Sequence, residues 1–150
     1  MRYKSTKPAA ARRFGRFQVN DADYHTLAAF RAALRRFLRV SEDLAHGLGL
    51  TPQQHQAMLA IRGFPGGEQP TVGQLATRLQ VHHNSAVGLV TRLVKQGYAR
   101  RQASKEDQRR MHVSLTLKGH GLLDKLTEAH RIELRHIGPE IAGLLTELTR

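Results

Sequence analysis

The sequence contains no cysteine. Disulfide bonds, cysteine-ligated zinc sites and thiol-based redox sensing are therefore excluded. No apolar run approaches the roughly 20 residues that a membrane-spanning helix needs. The segment 1–16 is basic but has no apolar stretch behind it, so we expect no secretory signal and no membrane partner. A cytoplasmic protein is the expectation.

Acidic residues are scarce: 12 Asp and Glu stand against 24 Lys and Arg, a formal net charge of +12. The excess lies in residues 1–40 and 78–110, whereas residues 118–150 are neutral, with five acidic and five basic side chains. The window 78–110 alone carries eight basic residues and two acidic ones. This distribution favours a nucleic-acid partner first and an anionic membrane surface second, because a phosphate backbone neutralises such a surface by releasing counterions.

The chain has 150 residues, the length of one ordinary domain, and it begins with a short basic segment. Residues 1–20 carry six basic side chains and no acid, which predicts a flexible arm. Either a solvated tail or an arm that enters a DNA groove fits this composition. Residues 21–150 are predicted to form one domain, in which helices from 21–48 and 118–150 flank a central lobe, 50–117.

Helix start signals recur along this domain. Asp21 or Asp23 is predicted to cap the first helix. Thr51 and Thr71 each precede a glutamine by three residues, the spacing of a capping box. Thr116 is predicted to cap the last helix, which Gly138-Pro139 should interrupt.

A helix over about 83–96 follows a short helix and a turn, which together predict a helix-turn-helix. Strands are predicted at 98–102 and 111–117, where Val113, Leu115 and Leu117 alternate with polar residues. The charged segment 103–110 between them is predicted to be the tip of a hairpin. The fold class is therefore mainly α with a small β wing: a winged helix-turn-helix flanked by N- and C-terminal dimerisation helices.

Several short motifs resemble those of the MarR family of bacterial transcriptional regulators. The most specific is Asp107-Gln108-Arg109 followed by Leu115-Thr116-Leu117-Lys118-Gly119. Leu50-Thr51-Pro52-Gln53, Leu75-Ala76 and Leu93 with Gly97 and Arg100 add to it. The resemblance implies a homodimer whose terminal helices interlock, and a repressor of nearby genes that a small aromatic or phenolic acid releases. Two departures, His82-His83-Asn84-Ser85 at the start of the recognition helix and Gln108 in the wing, imply a different base preference.

The candidate DNA contacts lie in the recognition helix and the wing. Asn84 is a candidate for reading an adenine edge, or else it caps the helix. Arg109 is predicted to enter a minor groove, the alternative being a solvated arginine. Asp107 either holds an arginine through a charge-assisted pair or is a turn residue. The full set is His82, His83, Asn84, Ser85, Val87, Gly88, Thr91, Arg92, Lys95, Lys105, Asp107, Arg109 and Arg110.

Apolar residues at helical spacing occur in both terminal segments. Such stripes are most often ordinary core, and a core shared between two subunits extends that interpretation. The predicted dimerisation residues are Leu27, Phe30, Leu34, Leu126, Ile141, Leu144, Leu145 and Leu148.

The nine histidines raise the question of a metal site. His130 and His136 are six residues apart and do not share a helical face, and His82 and His83 are adjacent, so neither pair predicts a zinc ligand set. No cofactor is expected. No nucleophile elbow, phosphate-binding loop or dinucleotide fingerprint occurs, and we expect no enzymatic activity.

The expected partners are a pseudo-palindromic duplex DNA, a second copy of the chain and possible small-molecule effectors. The alternative is a basic winged-helix module that binds protein or RNA without operator specificity. A membrane-surface protein driven by the basic arm is a third hypothesis.

Overall fold

The computed structural model describes residues 18–150, so the predicted basic arm falls almost entirely outside the described residues. Within this range the fold is mainly α-helical with one two-stranded antiparallel sheet, which confirms the predicted mainly α fold with a small β wing. The elements in chain order are α1 (Asp21–Gly47), α2 (Pro52–Arg62), α3 (Val72–Leu79), α4 (His83–Lys95), β1 (Ala99–Ala103), β2 (Met111–Leu115) and α5 (Leu117–Leu148).

Helices α1, α2, α3 and α5 begin at side chains that cap them. Thr51 and Thr71 each form a complete capping box with the glutamine three residues on. The first helix corrects the prediction, because its cap is Asn20 and not Asp21 or Asp23. The Asn20 side chain accepts a hydrogen bond from the Asp23 amide, and the Asp23 carboxylate accepts one from the Asn20 amide at 2.9 Å. The aspartate therefore completes the box one turn inside the helix.

The last helix is continuous, so the predicted interruption at Gly138-Pro139 is wrong. Proline removes one backbone donor from a helix, but contacts with a neighbouring helix can hold its two halves on one axis. Here α1 contacts α5 on both sides of the proline. Ser41 bonds to His130 at 2.6 Å on one side, and Thr26 donates to Glu147 at 3.4 Å on the other.

The start of α5 corrects the predicted second strand. The strand ends at Leu115, and Leu117 is 91% exposed as the first residue of the helix. Thr116 stops the strand because it caps the helix, accepting from the Gly119 amide at 3.1 Å. The Thr116 hydroxyl also donates to the Gly97 carbonyl at 2.6 Å, which fixes the start of α5 against the segment that leads into the wing.

Helices α1 and α5 lie antiparallel and form what we call the frame. Besides the contacts at His130 and Glu147, an Arg36–Glu140 ion pair of 2.5 Å joins them. Both side chains are about half exposed, so this pair orients the helices more than it stabilises them.

The remaining elements, α2 to β2, form what we call the lobe. Its core contains one fully buried side chain from each of several elements: Met58, Leu75, Leu93 and Val113. Leu126 of α5 enters the same core and is only 1% exposed. The prediction that Leu126 is a dimerisation residue is therefore wrong, because this side chain has no surface left for a partner.

The wing is anchored on both sides of β2. Its register pairs Arg101 with Val113 across the hairpin. On the other edge, the Val113 amide donates to the Pro70 carbonyl at 2.8 Å, and the His112 ring bonds to the Gln69 carbonyl at 2.6 Å. The wing is thereby held against the connection between α2 and α3.

A histidine pair lies where the lobe meets the frame. His55 of α2 is 2% exposed and stacks on His130 of α5, with ring centroids 4.8 Å apart. The His130 ring also bonds to the Ser41 hydroxyl and packs edge-on against Phe37 of α1. Burial, and then the charge that His130 would carry, lower the pKa of His55 from 6.5 to about 4.

This lowered pKa predicts an acid-sensitive fold. The unfolded chain protonates His55 below pH 6.5, whereas the folded protein excludes the proton until about pH 4. The free energy of unfolding contributed by this group is therefore fully present above pH 6.5 and is lost as the pH falls to 4. The loss amounts to about 3 kcal/mol.

Denaturant titrations between pH 7 and 4 measure this loss. His55→Gln is expected to flatten the dependence, while His25→Gln, on an exposed position of α1, is the matched control. An unchanged dependence in His55→Gln would contradict the assignment.

Candidate nucleic-acid interface

The turn between α3 and α4 sets the direction of the second helix. Gln80 adopts a left-handed conformation with φ of 55°, and the Val81 amide donates to the Ala76 carbonyl at 3.1 Å. After this turn α4 packs one face into the lobe core. The buried residues of that face are Ala86, Leu89, Val90 and Leu93, with Val94 half-buried beside them.

The opposite face of α4 is open to solvent along its length. The predicted contacts His82, His83, Asn84, Ser85, Thr91, Arg92 and Lys95 are exposed, and Val87 and Gly88 are half-buried. The helix is capped at His82 without any side-chain hydrogen bond. The interpretation of Asn84 as the cap is therefore wrong, and its amide remains available on the surface.

A groove of about 790 Å³ runs beside this face. The α4 side contributes Asn84, Ser85, Gly88 and Arg92, and the start of α2 contributes Thr51 and Gln53. Gln53 was not among the predicted contacts, because its segment indicated only the start of α2 after the cap Thr51.

Gly88 lies in the middle of the open face. A Cβ atom at this position would lie 3.7 Å from the Arg92 guanidinium, an ordinary van der Waals distance. The fold of the chain itself therefore does not require glycine here. The Arg92 guanidinium lies next to the space that a side chain at position 88 would occupy.

The wing tip is a compact turn with its cationic side chains exposed. The Asp107 carboxylate accepts from the Arg109 amide at 3.0 Å, and the Asp107 carbonyl accepts from the Arg110 amide at 3.0 Å. Ser104 closes the base of the turn through its amide, which donates to the Arg110 carbonyl at 2.8 Å. Lys105, Arg109 and Arg110 are all exposed.

Asp107 forms no ion pair, which corrects the prediction that it holds an arginine through its charge. Within residues 18–150, Arg36–Glu140 is the only ion pair. Asp107 is instead the turn residue of the alternative interpretation, because its short side chain bonds to the backbone two residues on. It still positions Arg109, but through that backbone amide.

The two surfaces are connected by an arginine that was not among the predicted contacts. Arg101 of β1 donates from Nη2 to the Thr91 hydroxyl on α4 at 2.8 Å. The sequence shows only that Arg101 adds to the positive charge of residues 78–110, whereas the bond to Thr91 shows that its side chain faces the helix.

Neither a metal site nor a membrane span is found in the part of the chain that the structure describes. No three side chains among His, Asp and Glu converge there as metal ligands. None of the helices in residues 18–150 combines the length and apolar character needed to cross a bilayer.

A family model described as the MarR family matches residues 48–110, which span α2 to the wing tip. Residues 48–110 of this chain are therefore similar to the MarR family. The resemblance inferred from the wing motif is confirmed.

Solved structures share the fold of this chain. The transcriptional regulator PA4135 is 27% identical, with a TM-score of 0.61 over 88% of this chain and 94% of its own. AbsC, a MarR family transcriptional regulator from Streptomyces coelicolor, has a TM-score of 0.69 at 19% identity over 88% and 90% of the two chains. A mutant of S. aureus MepR, bound to an oligodeoxyribonucleotide, has a TM-score of 0.66 at 18% identity over 84% and 95%. No curated protein sequence matches the chain.

PA4135 and AbsC are both described as transcriptional regulators. These comparisons show the fold of the chain and the similarity of residues 48–110 to the MarR family. They do not test individual contacts, so the DNA-binding residues and the dimerisation residues other than Leu126 stay predictions.

Proposed function

We propose that this protein is a homodimeric transcriptional regulator that binds a pseudo-palindromic DNA operator. The observation that carries the proposal is an open recognition helix joined, through the bond from Arg101 to Thr91, to a wing whose tip is cationic and exposed. A helix of this kind fits the major groove, and a hairpin beside it reaches the backbone or the adjacent minor groove. The DNA-bound MepR mutant, which shares this fold, supports the proposal.

The proposed roles follow from position and chemistry. Asn84 lies near the start of α4, where an exposed amide can both donate to and accept from an adenine edge. Arg92 and Lys95, further along the helix, bind phosphate and set the register. Arg109 enters the minor groove, because narrow A/T-rich segments concentrate negative potential there.

Charge supports DNA as the ligand. The window 78–110 carries eight basic residues and two acidic ones, and Arg36–Glu140 is the only ion pair in residues 18–150. The positive charge of the α4 face and the wing is therefore uncompensated within the described part of the chain. A phosphate backbone supplies that compensation and releases counterions as it does so.

The second subunit is inferred from apolar side chains that the frame leaves uncovered. Leu27 of α1 and Leu145 of α5 are 48% and 47% exposed, and Tyr24 and Ile132 are more exposed still. A second frame packed on these residues would remove them from water. The neutral charge of residues 118–150 permits such packing without repulsion.

We extend the proposal to repression of nearby genes, with release by a small aromatic or phenolic ligand. The family resemblance supports this part. The junction of frame and lobe also offers flat rings, since His55, His130 and Phe37 pack together there. A ligand that altered this junction would change how the frame orients the two lobes.

Selection of binding sites from a randomised duplex library tests the proposal. The expected product is an inverted repeat whose half-site centres lie about 10 bp apart, one helical turn. We call the selected sequence the operator duplex. The protein should bind the operator duplex at least about a thousandfold more tightly than bulk DNA. A library from which no sequence emerges would favour the alternative, a basic module without operator specificity.

Arg109→Ala is expected to weaken binding to the operator duplex by about tenfold at near-physiological salt. The wing tip would lose its groove contact, but the turn would survive because its bonds involve backbone atoms and Asp107. Fluorescence anisotropy measures the affinity. Arg62→Ala, on an exposed residue at the end of α2, is the control. Equal affinity of the Arg109 variant and the parent protein would show that the wing does not enter the groove.

Gly88→Ala separates folding from DNA binding. The fold has room for the methyl group, and alanine favours a helix by about 1 kcal/mol, so the thermal midpoint should rise or stay unchanged. The added methyl group would nevertheless hold α4 away from the groove floor and reduce operator affinity. A stable variant that binds as tightly as the parent would contradict the proposed approach of this face to DNA.

A further inference from the structure

The bond between Arg101 and Thr91 joins the two elements that we propose contact DNA. Arg101 lies on β1 in the wing, and Thr91 lies on the exposed face of α4. The guanidinium Nη2 donates to the threonine hydroxyl at 2.8 Å. The side chain thus crosses from the hairpin to the recognition helix.

The register of the sheet explains why an arginine lies here. Arg101 pairs with Val113 and shares its side of β1 with Ala99, and both of these neighbours are buried. An arginine on such a side keeps its aliphatic stem against apolar neighbours while its charged end reaches solvent. Arg101 is accordingly half-buried, and its end emerges at Thr91.

The Arg101 guanidinium has hydrogen-bonding capacity beyond Thr91. An arginine carries five N–H donors, and Thr91 accepts from one nitrogen. Within residues 18–150, no carboxylate lies within 4.0 Å of it, since the single ion pair there is Arg36–Glu140. Its charge and its other donors therefore remain available beside α4.

We propose that Arg101, held by Thr91, binds a DNA phosphate between the two grooves and fixes the distance from α4 to the wing. The inference rests on the proposed DNA-binding function. A phosphate is the expected ligand because a planar guanidinium donates two parallel hydrogen bonds to its oxygens. The tie to Thr91 makes Arg101 a positioning residue as well as a contact.

Arg100 provides a matched control on the neighbouring position. Its side chain lies on the other side of β1 and donates from Nε to the Ser114 hydroxyl at 3.3 Å. Arg100→Ala therefore removes the same charge from the same strand without touching α4. Any effect of net charge alone should appear equally in both arginine variants.

The experiment measures affinity for the operator duplex at several salt concentrations, with each variant first shown to be folded by its thermal midpoint. Arg101→Ala is expected to weaken binding about tenfold and to reduce the slope of log K against log salt by about one. Arg101→Lys should restore the slope but only part of the affinity, since lysine keeps the charge without the planar fork. Arg100→Ala should change the slope less than Arg101→Ala does.

Thr91→Val tests the tie, because it removes the hydroxyl and keeps the shape and charge. It should lower affinity with little change in slope, and the Thr91→Val, Arg101→Ala double variant should bind no more weakly than Arg101→Ala alone. An Arg101 effect together with an unaffected Thr91→Val would overturn the positioning role.

Three further results would overturn the inference, and they differ in what else they affect. If the parent protein prefers the operator duplex but Arg101→Ala matches it in affinity and slope, this inference alone fails. If the parent protein does not distinguish the operator duplex from bulk DNA, the proposed function fails and this inference fails with it. Equal slope losses in Arg100→Ala and Arg101→Ala would also contradict a specific phosphate contact.

Discussion

Gly119→Ala is expected to lower the free energy of unfolding by about 3 kcal/mol, since added volume in a filled core must displace its neighbours. Gly119 is buried in the first turn of α5. A Cβ there would overlap the carbonyl oxygen of Tyr98 and lie 2.9 Å from its carbonyl carbon. Both atoms belong to the backbone, so no side-chain rotation can relieve the overlap.

The overlap cannot be relieved by moving the chain either, because the crossing of these two segments is tied at several points. The Thr116 amide donates to the Tyr98 carbonyl at 3.0 Å, and its hydroxyl donates to the Gly97 carbonyl. Lys118 adds a bond from Nζ to the Gln96 carbonyl at 3.1 Å. The Thr-x-x-Gly spacing in this chain thus has a physical cause: the threonine caps α5, and the glycine lets it lie directly on the entry to the wing.

Gly121→Ala is the matched control for this prediction. Gly121 lies on the same helix and is exposed, and a Cβ atom added there would have no neighbour within 4 Å. Alanine there should raise stability by up to about 1 kcal/mol, because glycine is the poorer helix former. Chemical denaturation of both variants measures the difference. Similar stabilities for the two would show that the close approach at Tyr98 is not present in solution.

Leu145→Glu is expected to separate the proposed dimer. A symmetric interface repeats the change in both subunits, and each buried carboxylate without a partner costs roughly 3 kcal/mol. The dimer Kd should therefore rise by at least about a thousandfold. Leu145 is 47% exposed in the single chain, so its own fold should tolerate the change. Sedimentation equilibrium measures the subunit association.

Leu117→Glu controls for adding a negative charge to α5. Leu117 is 91% exposed at the other end of the same helix, away from the proposed interface, and its replacement should leave association unchanged. The monomeric Leu145 variant should also lose most of its affinity for the operator duplex, because one lobe reads only one half-site. A Leu145 variant that remains dimeric would place the interface elsewhere on the molecule.

Local signals in the sequence predicted the parts of the fold that are locally determined. The capping boxes at Thr51 and Thr71, the cap at Thr116 and the inward face of α4 all follow from side chains within one or two turns of each other. The alternation in β2 predicted Val113 and Leu115 as buried.

Errors arose where distant contacts decide the outcome. Pro139 does not break α5, because α1 holds the helix on both sides of it. Leu126 has the spacing of an interface residue, yet the lobe core covers it. Sequence spacing shows which helical face is apolar, but it does not show which neighbour buries that face.

The candidate site shows the same division. The exposed face of α4 and the cationic wing tip were predictable from periodicity and charge. The choice between the two interpretations of Asp107 and the bond from Arg101 to Thr91 were not, since both depend on hairpin geometry that fixes side-chain directions.

The most direct test of the central claim is the mass of the complex between the protein and the operator duplex, measured by sedimentation together with a footprint. The proposed function predicts two chains per duplex and protection of two half-sites centred about 10 bp apart on one side of the DNA. A single chain per duplex, with no preference for any sequence, would contradict it.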